Sequence, residues 1–448
     1  MNFIEACRHI ISIDSSPTVG SREVAEFVAD LCRTKGLHVD LQEEYATDLQ
    51  HANVIARPSE QRPPLEFMLQ THLDTPDPGP FGLWSYNEAN PYDASIIDNK
   101  IYGLGAADVK LDFLCKLEAI ASFGSTTFSK MPPVLVGTFG EETGMTGALR
   151  LIRKNKVNTR MALVGEPSDL NLITASKGFA TVGIRLPFSE EEKRYREDHN
   201  IQESISSQSR LFNGKAAHSS TPHLGDNAIK KMLDYLAQLP ERVVIMEADG
   251  GITYNSVPSQ ALLEVDVIAS IKDPMAAKIL KINRAIRDLE REFASFSDAE
   301  FTPQHPTLNI GVIRTHDDHV LIGGSCRMPP NITQDQYESW MQYLKTITEN
   351  VGGEFKVNDY KKPYRTPDNS MLVRVCVEEL QKMGLSGQRT TQPNTNEASL
   401  FSRVGIECVG FGAAPRDNNL HSPSENVSIE ALHKSIEFYR RIIERFCL

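Results

Sequence analysis

The stretch 137–148, GTFGEETGMTGA, sets two carboxylates, Glu141 and Glu142, side by side after an apolar run (134–136) and before a glycine-rich turn. Adjacent like charges repel, and at the end of a buried strand they also lose solvation. Other ionisable residues stand at comparable points. LQTHLDT supplies His72 and Asp74, and YGLGAADVKLD supplies Asp108 at a helix start. LVGEPSD supplies Glu166, and NNLHSPSEN supplies His421. Each has an ordinary explanation when taken singly. Asp108 caps a helix, the paired glutamates favour the positive end of the helix that follows, and a lone histidine is usually structural. Taken together, two histidines and several carboxylates are predicted at one edge of one sheet, where ligands of open α/β folds gather. Imidazole and carboxylate are the donors that zinc prefers, and two such cations share a bridging carboxylate about 3.5–4 Å apart. Neighbouring cations stabilise ionised carboxylates, so paired glutamates cease to be a liability there.

These residues need elements to carry them. Residues 21–35 read as a helix, ANVIARP and LEFMLQTHLD as strands, and DVKLDFLCKLEAIASFG as a helix with Leu111, Leu114, Leu117 and Ala121 at helical spacing. PPVLVGTFG is a short buried strand, TGMTGALRLIRK a helix, and TRMALVGEP a strand. The same style returns in ECVGFG and in a helix over 428–446. Such alternation predicts an α/β fold with a mostly parallel sheet covered by helices on both faces.

The middle of the chain differs. FATVGIRLPF opens a new sheet, and 189–210 is so polar that it reads as a solvated loop or insertion. A helix is predicted over 272–296, with Asp273 as N-cap, Pro274 at its first position, and Met275, Ile279, Ile282, Ile286, Leu289 and Phe293 as its apolar stripe. The expected organisation is a catalytic domain in two segments, 1–175 and 360–448, with a smaller α+β domain inserted over 176–359.

Composition bounds the function. A chain of 448 residues exceeds one ordinary core. Its net charge of −12 argues against nucleic acid or an anionic membrane as partner. The seven cysteines are scattered and form no C-x-x-C pair, and the N-terminus is interrupted by Glu5, Arg8 and His9. Both features predict a reduced, cytoplasmic protein.

The ordered motifs H-x-D, G-x-G-A-x-D, E-E-x-G, G-E-P and H-S-P-x-E resemble those of the co-catalytic zinc amidohydrolases. That family includes acetylornithine deacetylase, succinyl-diaminopimelate desuccinylase, aminoacylase and glutamate carboxypeptidase. The resemblance covers nearly the whole chain and implies a zinc-peptidase-like catalytic domain with an inserted lid or dimerisation domain. It implies two divalent ions, zinc with cobalt as a substitute. His72 and Glu166 would hold one, Glu142 and His421 the other, and Asp108 would bridge them. Glu141 would be the general base, and Asp74 would orient His72. NGKAAHSS and GGITYNSVP resemble family segments that make His218 and Asn255 substrate contacts, with His218 acting across a homodimer. There are departures: Leu104 and Ile268 replace residues that are commonly arginine, and NTNEAS (394–399) replaces a Gly-Thr-Asp-Ala segment. Arg327, in IGGSCRMPPN, is the candidate substitute for binding a substrate carboxylate. The implied reaction is hydrolysis of the amide of a small N-acyl amino acid, of the acetylornithine or succinyl-diaminopimelate kind. The alternatives are a carboxypeptidase or dipeptidase and, from another class, a metal-binding protein without activity.

Overall fold

In the computed structural model, residues 1–46, 49–124, 126–198, 208–240, 243–266, 271, 274–415 and 420–448 are described. The chain divides into two compact units. One comprises Met1–Ala175, Tyr364–Thr391 and Asn396–Leu448; the other comprises Ser176–Pro363 and Gln392–Thr395.

The first unit is built on a nine-stranded sheet. At its centre Pro133–Thr138, Glu66–His72, Thr159–Gly165 and Glu407–Phe411 run parallel. The flanks are antiparallel: Leu49–Arg57 pairs with Pro133–Thr138, His38–Ala46 with Leu49–Arg57, and Leu172–Ser176 with Glu407–Phe411. The sheet is therefore mixed, with a parallel heart. Period-two alternation assigns each strand residue to a face. Phe67, Leu69, Leu135, Leu163, Val409 and Phe411 enter the core under the helices Phe3–Ser12, Arg22–Thr34, Lys110–Ala121, Met371–Lys382 and Ile429–Cys447. Met68, Val134, Val136, Ala162, Val164 and Cys408 face the other way, against Thr146–Arg153 and Ala398–Arg403. A strand covered on both faces has no polar side, which explains the continuous apolar runs in the sequence.

The second unit is a seven-stranded antiparallel sheet. Its core is shared with the helices Ala228–Leu236, Met275–Phe293 and Gln334–Asn350. All six stripe residues of Met275–Phe293 are buried. Pro274 occupies the N-cap rather than the first helical position, and Asp273 lies outside the described residues. The polar stretch after 188 is not simply a solvated loop. Glu190–Asp198 is a helix, 199–207 lie outside the described residues, and Gln208–Asn213 is a strand at one edge of the sheet. Glu192 is fully buried and accepts the Met275 backbone N–H at 2.9 Å, capping the long helix from another segment. Among the described residues, no helix is long and apolar enough to cross a membrane.

Candidate active site

Parallel strands that end together deliver their next residues to one edge. His72 closes Glu66–His72, and its Nε2 lies 3.2 Å from Asp108 Oδ1. Asp108 precedes the helix Lys110–Ala121. His421 lies in the segment that follows Glu407–Phe411, with its backbone at φ 54°. This left-handed conformation costs a histidine about 1–3 kcal/mol and persists where its surroundings over-determine it. Its Nε2 lies 3.0 Å from Asp108 Oδ2 and 2.9 Å from Glu142 Oε1. Asp108 thus turns one oxygen to each histidine.

This donor set fits two cations. Potential ligand atoms of His72, Glu141 and Glu142 lie within 4.8 Å of one another, as do those of Asp108, Glu142 and His421. The histidine–carboxylate separations of 2.9–3.2 Å are near the roughly 3.3 Å between two ligands about 2.0–2.1 Å from one tetrahedral ion. Glu166, buried at the end of Thr159–Gly165, belongs to neither group, although its charge reaches Glu141.

The electrostatics agree with the geometry. Burial would lower the His72 pKa, but hydrogen bonds and charge from Asp108 and Asp74 hold it well above the usual value. Burial likewise opposes protonation of His421, yet Asp108 and Glu142 push it up to about 12. The cluster therefore strongly favours positive charge at its centre. Glu141 is raised well above the ordinary carboxyl range, first by burial, which outweighs the opposing pull of His72, and then by Glu142, Glu166 and Glu397.

Supporting contacts fix the loops. The Asp74 carboxylate accepts the backbone N–H groups of Glu141 at 3.1 Å and Glu142 at 3.0 Å, clamping the paired glutamates. His72 Nδ1 is nearer the Asp74 carbonyl, at 3.1 Å, than its carboxylate, at 3.7 Å. Asp74 thus orients His72 chiefly through its backbone. Glu425 Oε1 accepts the N–H groups of Ala107 and Asp108 at 3.0 and 3.2 Å, tying the Asp108 loop to the His421 loop. Asn53 accepts the Phe139 N–H and donates to the Gly147 carbonyl, closing the turn that carries Glu141 and Glu142. A Cβ at Gly147 would meet Phe139 backbone atoms at 2.5–2.6 Å, so this turn admits no side chain there. Sequence reasoning assigned no role to Glu425, although it closes the H-S-P-x-E motif, nor to Asn53, which lies inside an ordinary strand pattern.

In the second unit, His218, Asn255 and Arg327 form a chain of contacts. Asn255 Oδ1 accepts Arg327 Nη2 at 2.8 Å and Ser219 Oγ at 2.5 Å, so its Nδ2 faces His218 Nε2 at 3.1 Å. That amide orientation makes Nε2 an acceptor, and Nδ1 lies 2.6 Å from Ser220 Oγ and 3.2 Å from the Ser220 backbone N–H. Arg327 is 4% exposed, bonds Thr395 Oγ1 at 3.2 Å, and lies 4.0 Å over the Phe179 ring. Ile268 lies outside the described residues.

Comparison with known proteins follows the same lines. The model of peptidase family M20/M25/M40 matches residues 68–445. The chain belongs to this family. This M20-family chain is 25% identical over 466 residues to an acetylornithine deacetylase of Klebsiella pneumoniae (strain 342), covering 99% of this chain and 98% of that protein. Its fold resembles an M20 family metallo-carboxypeptidase, Sso-CP2, from Sulfolobus solfataricus, with TM-score 0.65, 18% identity, and 100% and 99% of the two chains covered. It also resembles the aminoacylhistidine dipeptidase of Vibrio alginolyticus, with TM-score 0.64, 16% identity, and 99% and 96% covered. As an M20-family member, the chain is a metal-dependent hydrolase acting on amide bonds.

Proposed function

We propose that the chain removes the acyl group from a small N-acylated amino acid, as an acetylornithine deacetylase-like or succinyl-diaminopimelate desuccinylase-like enzyme. The observation that carries the reading is Asp108, with one carboxylate oxygen toward each of His72 and His421 and the Glu141–Glu142 pair beside them. The near full-length match to a deacetylase supports the choice of reaction. His72, Asp108, Glu142, Glu166 and His421 would hold two divalent ions, with zinc as the favoured metal and cobalt as a substitute. When bound, such ions acidify water and polarise a carbonyl.

The chain's own residues do the rest. Glu141 accepts a proton from the attacking water and returns it to the leaving amine. Burial and neighbouring acids raise its affinity for that proton, and the Asp74 clamp keeps its backbone fixed meanwhile. His218 and Asn255 are the proposed substrate contacts, with His218 donating to the carbonyl oxygen as charge builds there. Arg327 is proposed to favour a substrate carboxylate through Asn255, which it holds. We further propose a cytoplasmic homodimer. The seven cysteines are all buried and free, which is compatible with a reducing compartment.

The test is hydrolysis of a panel of N-acyl amino acids, dipeptides and C-terminally extended peptides with zinc or cobalt added. Turnover confined to N-acyl amino acids supports the deacylase. Preferential cleavage of peptides replaces it with a peptidase, and a chain that binds metal but hydrolyses nothing overturns both.

A further inference from the structure

Glu397 is a buried acid that the reaction outlined above does not use. It stands at the N-cap of the helix Ala398–Arg403 and is 1% exposed. Its Oε2 accepts from Gln70 Nε2 and, at 2.8 Å, from Thr138 Oγ1. Gln70 Nε2 also reaches Thr138 Oγ1 at 2.9 Å, which closes a three-membered knot. The two donors belong to adjacent parallel strands whose register sets His72 opposite Thr138. Gln70 lies one pleat step before His72 and on the same face. Thr138 ends the strand that leads into Glu141 and Glu142. One carboxylate therefore links the ends of the two strands that deliver the paired glutamates and a histidine of the cluster.

Both donors converge on a single oxygen, so a glutamine at 397 would make the same tie. The other oxygen, Oε1, is buried with no hydrogen-bond partner among the described residues. An acid in this position is costly to ionise unless positive charge lies within reach. The two groups that hydrogen-bond it are an amide and a hydroxyl, neither of them cationic. Positive charge reaches it from His72 of the cluster, which favours its ionised form, whereas Asp74 opposes ionisation, and Glu397 acts in turn on Glu141.

We propose that Glu397 is a positioning residue of this active site, tying the His72 strand to the strand that leads into Glu141, and that its buried charge strengthens the grip of the cluster on divalent cations. The proposal rests on the reading of the cluster as a two-metal site. It gives a physical reason for the acid in NTNEAS, whose side chain makes no capping hydrogen bond to the helix Ala398–Arg403. Burial pushes the Glu397 carboxyl up to about 7, with His72 opposing that rise. Cations at the cluster would draw it toward the ionised form.

The experiment titrates zinc into the metal-free full chain against a chromophoric chelator, for the wild type, Glu397→Gln and Glu397→Ala, and records metal-free melting temperatures. Glu397→Gln keeps the tie and loses the charge. It should melt no lower than the wild type without metal, bind zinc about 10- to 100-fold more weakly, as is typical when a group behind metal ligands is lost, and recover kcat at saturating zinc. Glu397→Ala loses the tie as well, and excess zinc should not restore its kcat. Wild-type zinc affinity in Glu397→Gln overturns the proposal even if the alanine variant fails to fold. A wild-type chain that binds no zinc signals instead that the two-metal reading itself is wrong.

Discussion

Glu141 and Glu142 are neighbours in the chain and share one clamp, Asp74, yet only Glu142 contacts His421. The proposed division of labour makes opposite demands on them. Glu141→Gln should retain both zinc ions by elemental analysis and lose nearly all turnover, because an amide cannot take the water's proton. Glu142→Gln should instead lose zinc occupancy, with activity partly restored by excess metal. The reverse pattern would exchange the two roles. Asp108 differs from every other candidate ligand because its two oxygens serve two histidines. Asp108→Ala should therefore abolish binding of both ions, whereas replacing either histidine should leave one. Calorimetric zinc titrations would show these stoichiometries directly. Asn255 adds a constraint at the same scale: its fixed amide leaves His218 Nε2 as an acceptor. Donation by His218 to a substrate oxygen then requires that this contact be exchanged or the ring be protonated.

At the scale of elements, periodicity carried most of the information. The stripe of Met275–Phe293 and the apolar runs of the central strands were readable because burial imposes a period of 3.6 in one case and two-sided cover in the other. Residue types at strand ends were readable for a related reason, since the topology of a parallel sheet gathers those ends on one edge. Antiparallel flanks were not readable, because pairing direction leaves no mark on a short buried strand. Glu397 and Glu192 were hidden for another reason. A glutamate in a polar segment normally faces water, and only tertiary contacts show that these two do not. Glu192 also makes a measurable prediction. Burial pushes its carboxyl from 4.5 up to about 7, against the opposing effect of the Met275 N–H bond and of Arg196. The folded chain then holds this proton more tightly than the unfolded one, so stability falls as pH rises from about 4.5 to about 7 and levels off above. Glu192→Gln keeps an oxygen for the helix cap and removes the titration. In urea unfolding it should gain up to about 3 kcal/mol over the wild type at pH 8 and nothing near pH 4. An unchanged difference across that range would mean that Glu192 does not titrate with folding.

At the scale of the whole molecule, the two units carry different parts of the proposed reaction. The first unit holds every candidate metal ligand and Glu141; the second holds His218, Asn255 and Arg327. Each unit has its own apolar core. The second unit also ends its sheet on the short strand Gln208–Asn213, where Leu211 is exposed beside a row of backbone groups, and such an edge tends to be covered or paired. These features make the proposed homodimer testable through activity as well as mass. Sedimentation should give twice the chain mass at micromolar concentration. His218→Ala should keep both metal ions and lose about 100- to 1,000-fold in kcat, the usual effect of removing one donor to a developing oxyanion. Glu141→Gln should be inactive for an unrelated reason. If His218 serves the first unit of the other protomer, a mixed dimer of these two variants contains one site with both faults and one with neither. Unfolding and refolding the variants together should then recover about a quarter of wild-type activity, because half of the dimers are mixed and each mixed dimer has one intact site. Recovery at that level, absent when the variants are refolded apart and combined without exchange, is the expected result. No recovery, with mixed dimers demonstrated by differential tagging, would place His218 in service of its own chain.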